Sequence, residues 1–276
     1  MSSIALEEGG AYQSLQMLLQ DEFGVVIGEE RKNSITAKLK PVMVAFNFDS
    51  LDALVDALRT QESGAIKNSI LQAITAYEAE WFDPPALFNL LDEYLLPNML
   101  DSSRTDYRIW VVGSGDGQLP YSLAMKIHQA MKQAGSSLNV KIEATDISDA
   151  IISKASEGLF EEASMHGMLE PYQKKYMTEH SGEWQVNDDI RSMVGFSTCN
   201  LLEDFEDKGY FDLVICLDVL VYYSVPVKTR LLNAFAALLD PSGILIAGMN
   251  EPVLPFNDNF EMVRHDAGIF YRQKAY

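Results

Sequence analysis

Residues 108–125 read RIWVVGSGDGQLPYSLAM. A short apolar run, Ile109 to Val112, breaks into Gly113-Ser114-Gly115-Asp116-Gly117 and then opens a helix. Three glycines at alternate positions let the backbone bend sharply and come close to a ligand. The helix that follows points its free N–H groups at whatever sits in the turn. Strand, glycine turn and helix together make a nucleotide-type pocket at the edge of a parallel sheet. Such turns also serve as plain chain reversals, so the pattern alone leaves both uses open. It lacks the lysine of GxxxxGK[ST], which disfavours a triphosphate. Gln118 stands where GxGxxG has its third glycine, which disfavours a dinucleotide.

The 276 residues suffice for one large or two ordinary domains. At 47% hydrophobic and 22% charged, the composition is that of a globular chain. A formal net charge of −19 argues against a nucleic-acid partner or an anionic membrane. MSSIALEEGG has neither the basic start nor the apolar core of a signal peptide, and no apolar run approaches the roughly 20 residues that span a bilayer. A cytoplasmic chain without direct membrane insertion is the expectation. Cys199 and Cys216 both lie in apolar segments, which predicts buried, reduced thiols. The four histidines have no ligand spacing, and no metal site is expected.

Working outward, residues 12–75 read as small amphipathic helices. Leu15, Leu18, Leu19 and Phe23 form one stripe, Leu51, Leu54, Val55 and Leu58 a second after an Asp49-Ser50 cap, and Ile66, Ile70, Leu71 and Ile74 a third. The basic cluster Arg31, Lys32, Lys38 and Lys40 is either a solvated face or a docking surface. Asp83-Pro84-Pro85 opens a further helix. A domain boundary near 75–80 divides the chain into 1–77 and 78–276. Beyond 105, strand candidates at 108–112, 140–144, 193–197, 211–216, 244–248 and 268–272 alternate with helical stretches. That alternation predicts an α/β domain with a mostly parallel sheet covered on both faces.

Ligands in such sheets sit beyond the carboxyl ends of the strands. After the second strand comes Asp146-Ile147, where a carboxylate can accept both ribose hydroxyls; the same place suits a helix N-cap at Asp146 or Ser148. After the third comes Asn200-Leu201, with an amide suited to an adenine edge, and after the fourth comes Leu217-Asp218 followed by Val219 to Tyr223.

The 108–125 stretch, ATDIS at 144–148, FSTCNL at 196–201, FDLVICLDVLVYY at 211–223 and GMNE at 248–251 resemble, in order and spacing, the CheR family of S-adenosylmethionine-dependent methyltransferases that act on glutamates of chemotaxis receptors. The resemblance runs through nearly the whole chain. It implies a small helical N-terminal domain followed by a Rossmann-like methyltransferase domain with a mostly parallel sheet of the seven-stranded type. It further implies a small β subdomain for receptor docking near 166–195, with a chemoreceptor or another signalling protein as partner. S-adenosylmethionine is the implied cofactor and S-adenosylhomocysteine the product. The implied cofactor residues are Trp81, Gly113, Ser114, Gly115, Gly117, Gln118, Asp146, Ile147, Asn200, Leu201 and Asp218, and the implied catalytic residues are Asp83 and Tyr222.

The chain departs from that pattern where charge matters. The family's approximate NETxFFR is Tyr77-Glu78-Ala79-Glu80-Trp81-Phe82-Asp83 here, so Ala79 replaces the threonine and Asp83 the arginine. The acidic pair after the glycine turn is Gln118-Leu119, and the Arg-Asn before the last motif is Leu217-Asp218. Asp116 or Asp218 is left to pair with the cofactor's ammonium. Three readings follow: an active CheR-like methyltransferase acting on glutamate or on a changed acceptor, a degenerate protein that binds the cofactor or a partner without turnover, and an unrelated nucleotide enzyme such as a dehydrogenase. No histidine or lysine–tyrosine constellation for hydride chemistry supports the last.

Overall fold

The computed structural model describes residues 3–60, 64–75, 79–203, 205 and 208–274. The chain divides into two compact units: Met1–Ala76 with Val219–Arg230, and Tyr77–Asp218 with Leu231–Tyr276. The boundary expected near 77 lies at residues 76–78, outside the described residues. The grouping of 219–230 with the helical unit had no signature in the sequence, because it depends on long-range pairing.

The first unit holds α1 (Ser3–Phe23), α2 (Lys32–Ala45), α3 (Leu51–Leu58) and α4 (Gly64–Thr75). Their apolar stripes at helical spacing become its core: Leu15 and Leu19, Ile35 and Leu39, Leu54 and Leu58, Ile70 and Ile74 are all buried. Ser50 caps α3 by accepting from the Ala53 N–H at 3.2 Å. Residues 222–224 attach by backbone bonds. Val26 N–H donates to the Tyr222 carbonyl at 2.7 Å, and Ser224 N–H to the Gly24 carbonyl at 2.8 Å.

The second unit begins with α5 (Pro85–Leu90) and α6 (Leu96–Asp101), joined by a π-helical turn at Leu91–Leu95. Then follow β1 (Asp106–Val112), α7 (Gln118–Ala134), β2 (Asn139–Asp146), α8 (Asp149–Glu157) and β3 (Leu159–Glu161). Next come α9 (Glu170–Tyr176), β4 (Met177–His180), β5 (Glu183–Val186), α10 (Asp188–Arg191) and β6 (Val194–Thr198). The chain continues with β7 (Phe211–Cys216), α11 (Val225–Leu238), β8 (Leu239–Ala247), β9 (Phe260–His265) and β10 (Gly268–Gln273). Seven strands form one sheet in the order β6-β2-β1-β7-β8-β10-β9. The five strands from β6 to β8 are parallel, and β10 and β9 close the edge antiparallel. All six strands expected from the sequence are present. Only β9 was missed from this sheet, because Phe260–His265 is an exposed edge strand of mixed polarity without clean alternation.

A second sheet, β3-β5-β4, is antiparallel. Its β4 and β5 fall within 166–195, whereas β3 precedes that stretch. Only three or four residues long, these strands carry too little pattern to read. Cys216 is buried as expected; Cys199 is only half-buried, because it follows the end of edge strand β6. Among the described residues no helix is long and apolar enough to cross a membrane.

The strand ends near the glycine turn are tied from below. Trp110 of β1 is fully buried, with Phe211 and Phe235 rings at 5.4 and 5.5 Å. Its indole N–H donates to the Thr145 hydroxyl at 2.9 Å. Trp110→Phe removes that buried bond and should cost about 2 kcal/mol. A urea titration should show the midpoint fall with the slope unchanged.

Candidate cofactor and acceptor site

The glycine turn sits between β1 and α7, as its sequence requires. Gly113, Gly115 and Gly117 all have positive φ, at 71°, 52° and 101°. Gly117 also lacks room: a Cβ there would lie 3.3 Å from Ala155, Phe196 and Tyr121. The turn is lashed to the end of β2. The Thr145 carbonyl accepts from the N–H groups of Gly113 and Ser114 at 2.8 and 2.9 Å. Asp146 accepts from the Gly115 N–H at 3.1 Å and the Ser148 N–H at 3.2 Å. Ser148, not Asp146, caps the following helix, through Ile151 N–H at 3.3 Å. The carboxylate of Asp146 is therefore positioned by the turn and keeps lone pairs for a ligand. Burial raises its pKa, and the backbone donors at Gly115, Ser148 and Ile147 oppose that rise.

Two buried side-chain atoms at the turn, Ser114 Oγ and Gln118 Oε1, have no hydrogen-bond partner among the described residues. Buried polar atoms are seldom left unpaired, since doing so costs free energy. An orphaned hydroxyl and an orphaned carbonyl oxygen flanking the turn fit a ligand that brings both donors and acceptors.

Other expected residues are placed differently. Asn200 follows β6, and its Oδ1 accepts from Leu202 N–H at 3.0 Å while its amide donates to Glu203 at 3.2 Å. It shapes its own turn, and Leu201 beside it is buried. Ile147 is half-buried. Asp116 pairs with Lys154 at 3.1 Å, so its charge is already matched. Trp81 is 2% exposed, packs edge-on against Phe160 at 4.8 Å and donates from its indole N–H to the Ser164 carbonyl at 2.9 Å. Those contacts make it a core residue anchoring the chain before β4. Tyr222 belongs to the helical unit, where the Arg31 guanidinium lies 5.2 Å from its ring centre. In the same unit Lys38 donates to the Ile74 carbonyl, and Lys32 and Lys40 line an open cavity of about 530 Å³ between α2 and the start of α3.

Of the segment aligned with NETxFFR, Tyr77 and Glu78 lie outside the described residues. Phe82 N–H donates to the buried Ser122 hydroxyl at 3.0 Å, which carries Asp83 to the first turns of α7. Ser122 is four residues after Gln118 and so shares its helix face. The Asp83 carboxyl is pushed above the ordinary carboxylate range by partial burial and by the charges of Glu80 and Asp218. Asp218, far away in sequence, is thus near enough for its charge to act on Asp83. Among the described residues, no lysine or arginine forms an ion pair with either.

A parallel sheet with a glycine turn after its first strand, and an acid after the second, defines the class of nucleotide-cofactor α/β enzymes. Residues 77–269 match the family described as CheR methyltransferase, SAM binding domain. The chain is 32% identical over 266 residues to Chemotaxis protein methyltransferase 1 of Vibrio cholerae serotype O1, covering 95% of this chain and 96% of that protein. It is 31% identical over 268 residues to Chemotaxis protein methyltransferase 1 of Pseudomonas aeruginosa, covering 95% and 97%. The chain belongs to the CheR family of methyltransferases, and its α/β unit carries the family's S-adenosylmethionine-binding domain.

Two measurements on the cofactor side follow. Asp146→Ala should weaken S-adenosylhomocysteine binding at least about tenfold by isothermal titration, the loss of a charge-assisted bond of roughly 1.5–3 kcal/mol. In the wild type, affinity should hold at neutral pH and fall as the pH drops through the raised pKa of Asp146, where the carboxylate protonates. An affinity that does not change as the Asp146 carboxyl itself titrates, followed by NMR, would remove Asp146 from the site.

Proposed function

We propose that this chain transfers a methyl group to a protein acceptor in chemotaxis-type signalling, and that its acceptor side is built for a neutral or cationic group rather than a free carboxylate. Gly113, Gly115, Gly117, Ser114, Gln118 and Asp146 are the residues that would hold the cofactor. When bound, S-adenosylmethionine supplies an electrophilic methyl on a sulfonium. The names of the relatives support the chemotaxis setting.

The acceptor reading is carried by Asp83 itself, which among the described residues has no lysine or arginine ion partner and stands within reach of the Glu80 and Asp218 charges. A glutamate acceptor is ionised at neutral pH and needs no general base. What it needs is orientation and a favourable field. Two carboxylates about 4 Å apart repel by about 1 kcal/mol in water and about 4 kcal/mol at an effective dielectric of 20. Asp83 is exposed, so the lower end applies to it. Replacing an arginine by this aspartate reverses the sign of the contribution. Each 1.36 kcal/mol is a factor of ten in rate. A neutral acceptor escapes the penalty, and a cationic one gains from it.

A second reading, a module that binds the cofactor without turnover, is favoured by the same missing positive charge. Tritiated methyl transfer to a purified chemoreceptor cytoplasmic fragment separates the two. Asp83→Arg should raise glutamate methylation about tenfold or more. Wild-type transfer as fast as that of the arginine variant would overturn the acceptor reading. Cofactor binding without transfer by either protein would favour the second.

Asp83 also has a stability signature. A carboxyl with a raised folded-state pKa stabilises the fold most below its unfolded value, and that stability is lost as pH rises through the folded value. Asp83→Asn should therefore be more stable than wild type at pH 7, with the difference vanishing by about pH 3. Thermal melts across that range give the check.

A further inference from the structure

Strands β7 and β8 run parallel with Cys216 opposite Ala247. The residues that follow them, Asp218 and Gly248, therefore emerge side by side at the ligand end of the sheet. Glu251 lies just beyond and is 3% exposed. One of its oxygens, Oε2, accepts from the backbone N–H of Asp218 and from that of Gly248, each at 2.8 Å. Its own N–H donates to the Gly248 carbonyl at 3.0 Å, closing a tight turn. Gly248 has no space for a side chain, because a Cβ there would lie 2.5 Å from Glu251 Oε2 and 3.3 Å from Asp218 N. Asp218 itself has a φ of 57°, a left-handed conformation that residues other than glycine adopt sparingly. A bond from its N–H to a buried carboxylate is the charge-assisted kind that can hold such a conformation. The Asp218 side chain is left exposed.

We propose that Glu251 is a positioning residue, whose carboxylate clamps the ends of β7 and β8 so that Asp218 presents its charge beside Asp83 on the acceptor face. The proposal rests on the acid-lined reading of that face. Glutamine at 251 keeps an acceptor oxygen in the same place. Alanine leaves two N–H groups without it, and a methyl group at 248 drives the carboxylate out of its seat.

The test follows the carboxyl of Asp83 by carbon-13 NMR in protein labelled at aspartate, assigned with Asp83→Asn. In the wild type it should titrate above the ordinary carboxylate range. Asp218→Asn should lower its midpoint, and Glu251→Ala and Gly248→Ala should lower it in the same direction. Glu251→Gln should leave it near the wild-type value. A cooperative thermal melt of Gly248→Ala, with its midpoint within a few degrees of wild type, shows that the fold is intact. If Glu251→Ala does not fold, Gly248→Ala carries the test alone. A midpoint lowered by Asp218→Asn but untouched by Gly248→Ala overturns the clamp and leaves the acid-lined reading standing. A midpoint unmoved by Asp218→Asn overturns both.

Discussion

The hydrogen bonds between the end of β2 and the glycine turn are the constraint on which the cofactor side depends. Thr145 offers one carbonyl to two successive N–H groups, and Asp146 offers its carboxylate to a third. Three glycines at positive φ can answer that demand, where side-chain-bearing residues would be strained. The turn and the acid are thus positioned by each other. Trp110, bonded to the Thr145 hydroxyl within an aromatic cluster, holds the level of β2 from below. The orphaned oxygens of Ser114 and Gln118 are the part of this arrangement that protein atoms leave unfinished.

The acceptor side obeys a different logic, electrostatic rather than conformational. It is assembled from segments distant in sequence: the loop of Asp83, tied to α7 through Ser122, and the loop of Asp218, tied to β8 through Glu251. Each anchor uses a backbone N–H and a buried side-chain oxygen, so the loops are fixed without help from the charges they carry. This chain places negative charge here, at Asp83 and Asp218. The Asp83 and Asp218 side chains take no part in these anchors, so the backbone geometry does not depend on the charge they carry.

Much of this was legible in the residues themselves. The 108–125 stretch carries its own local instructions: an apolar run, glycines, then helical periodicity. The alternation of apolar runs and helical stretches gave the parallel strands, and the Ser50 cap was visible as a serine before a periodic stripe. Edge strand β9 and the short strands of the second sheet were not legible. Strands that are brief or half-exposed carry weak alternation, and partners far along the chain complete them. Trp81 was expected at the cofactor from the family resemblance, and Asn200 from its amide beyond a strand end. The fold uses both for its own bonds, to the Ser164 carbonyl and to Leu202 and Glu203.

By itself the sequence determined the nucleotide-type turn, the helical start of the chain and the negative charge at position 83. These rest on local backbone preference and residue identity, which need no partner. Only the tertiary structure decided that the Asp218 charge reaches Asp83, that Glu251 bonds to the backbone after two strands, and that residues 219–230 group with the helical unit. Each of these depends on contacts between segments tens of residues or more apart, set by strand order and loop closure, and hydrophobic periodicity carries no record of either.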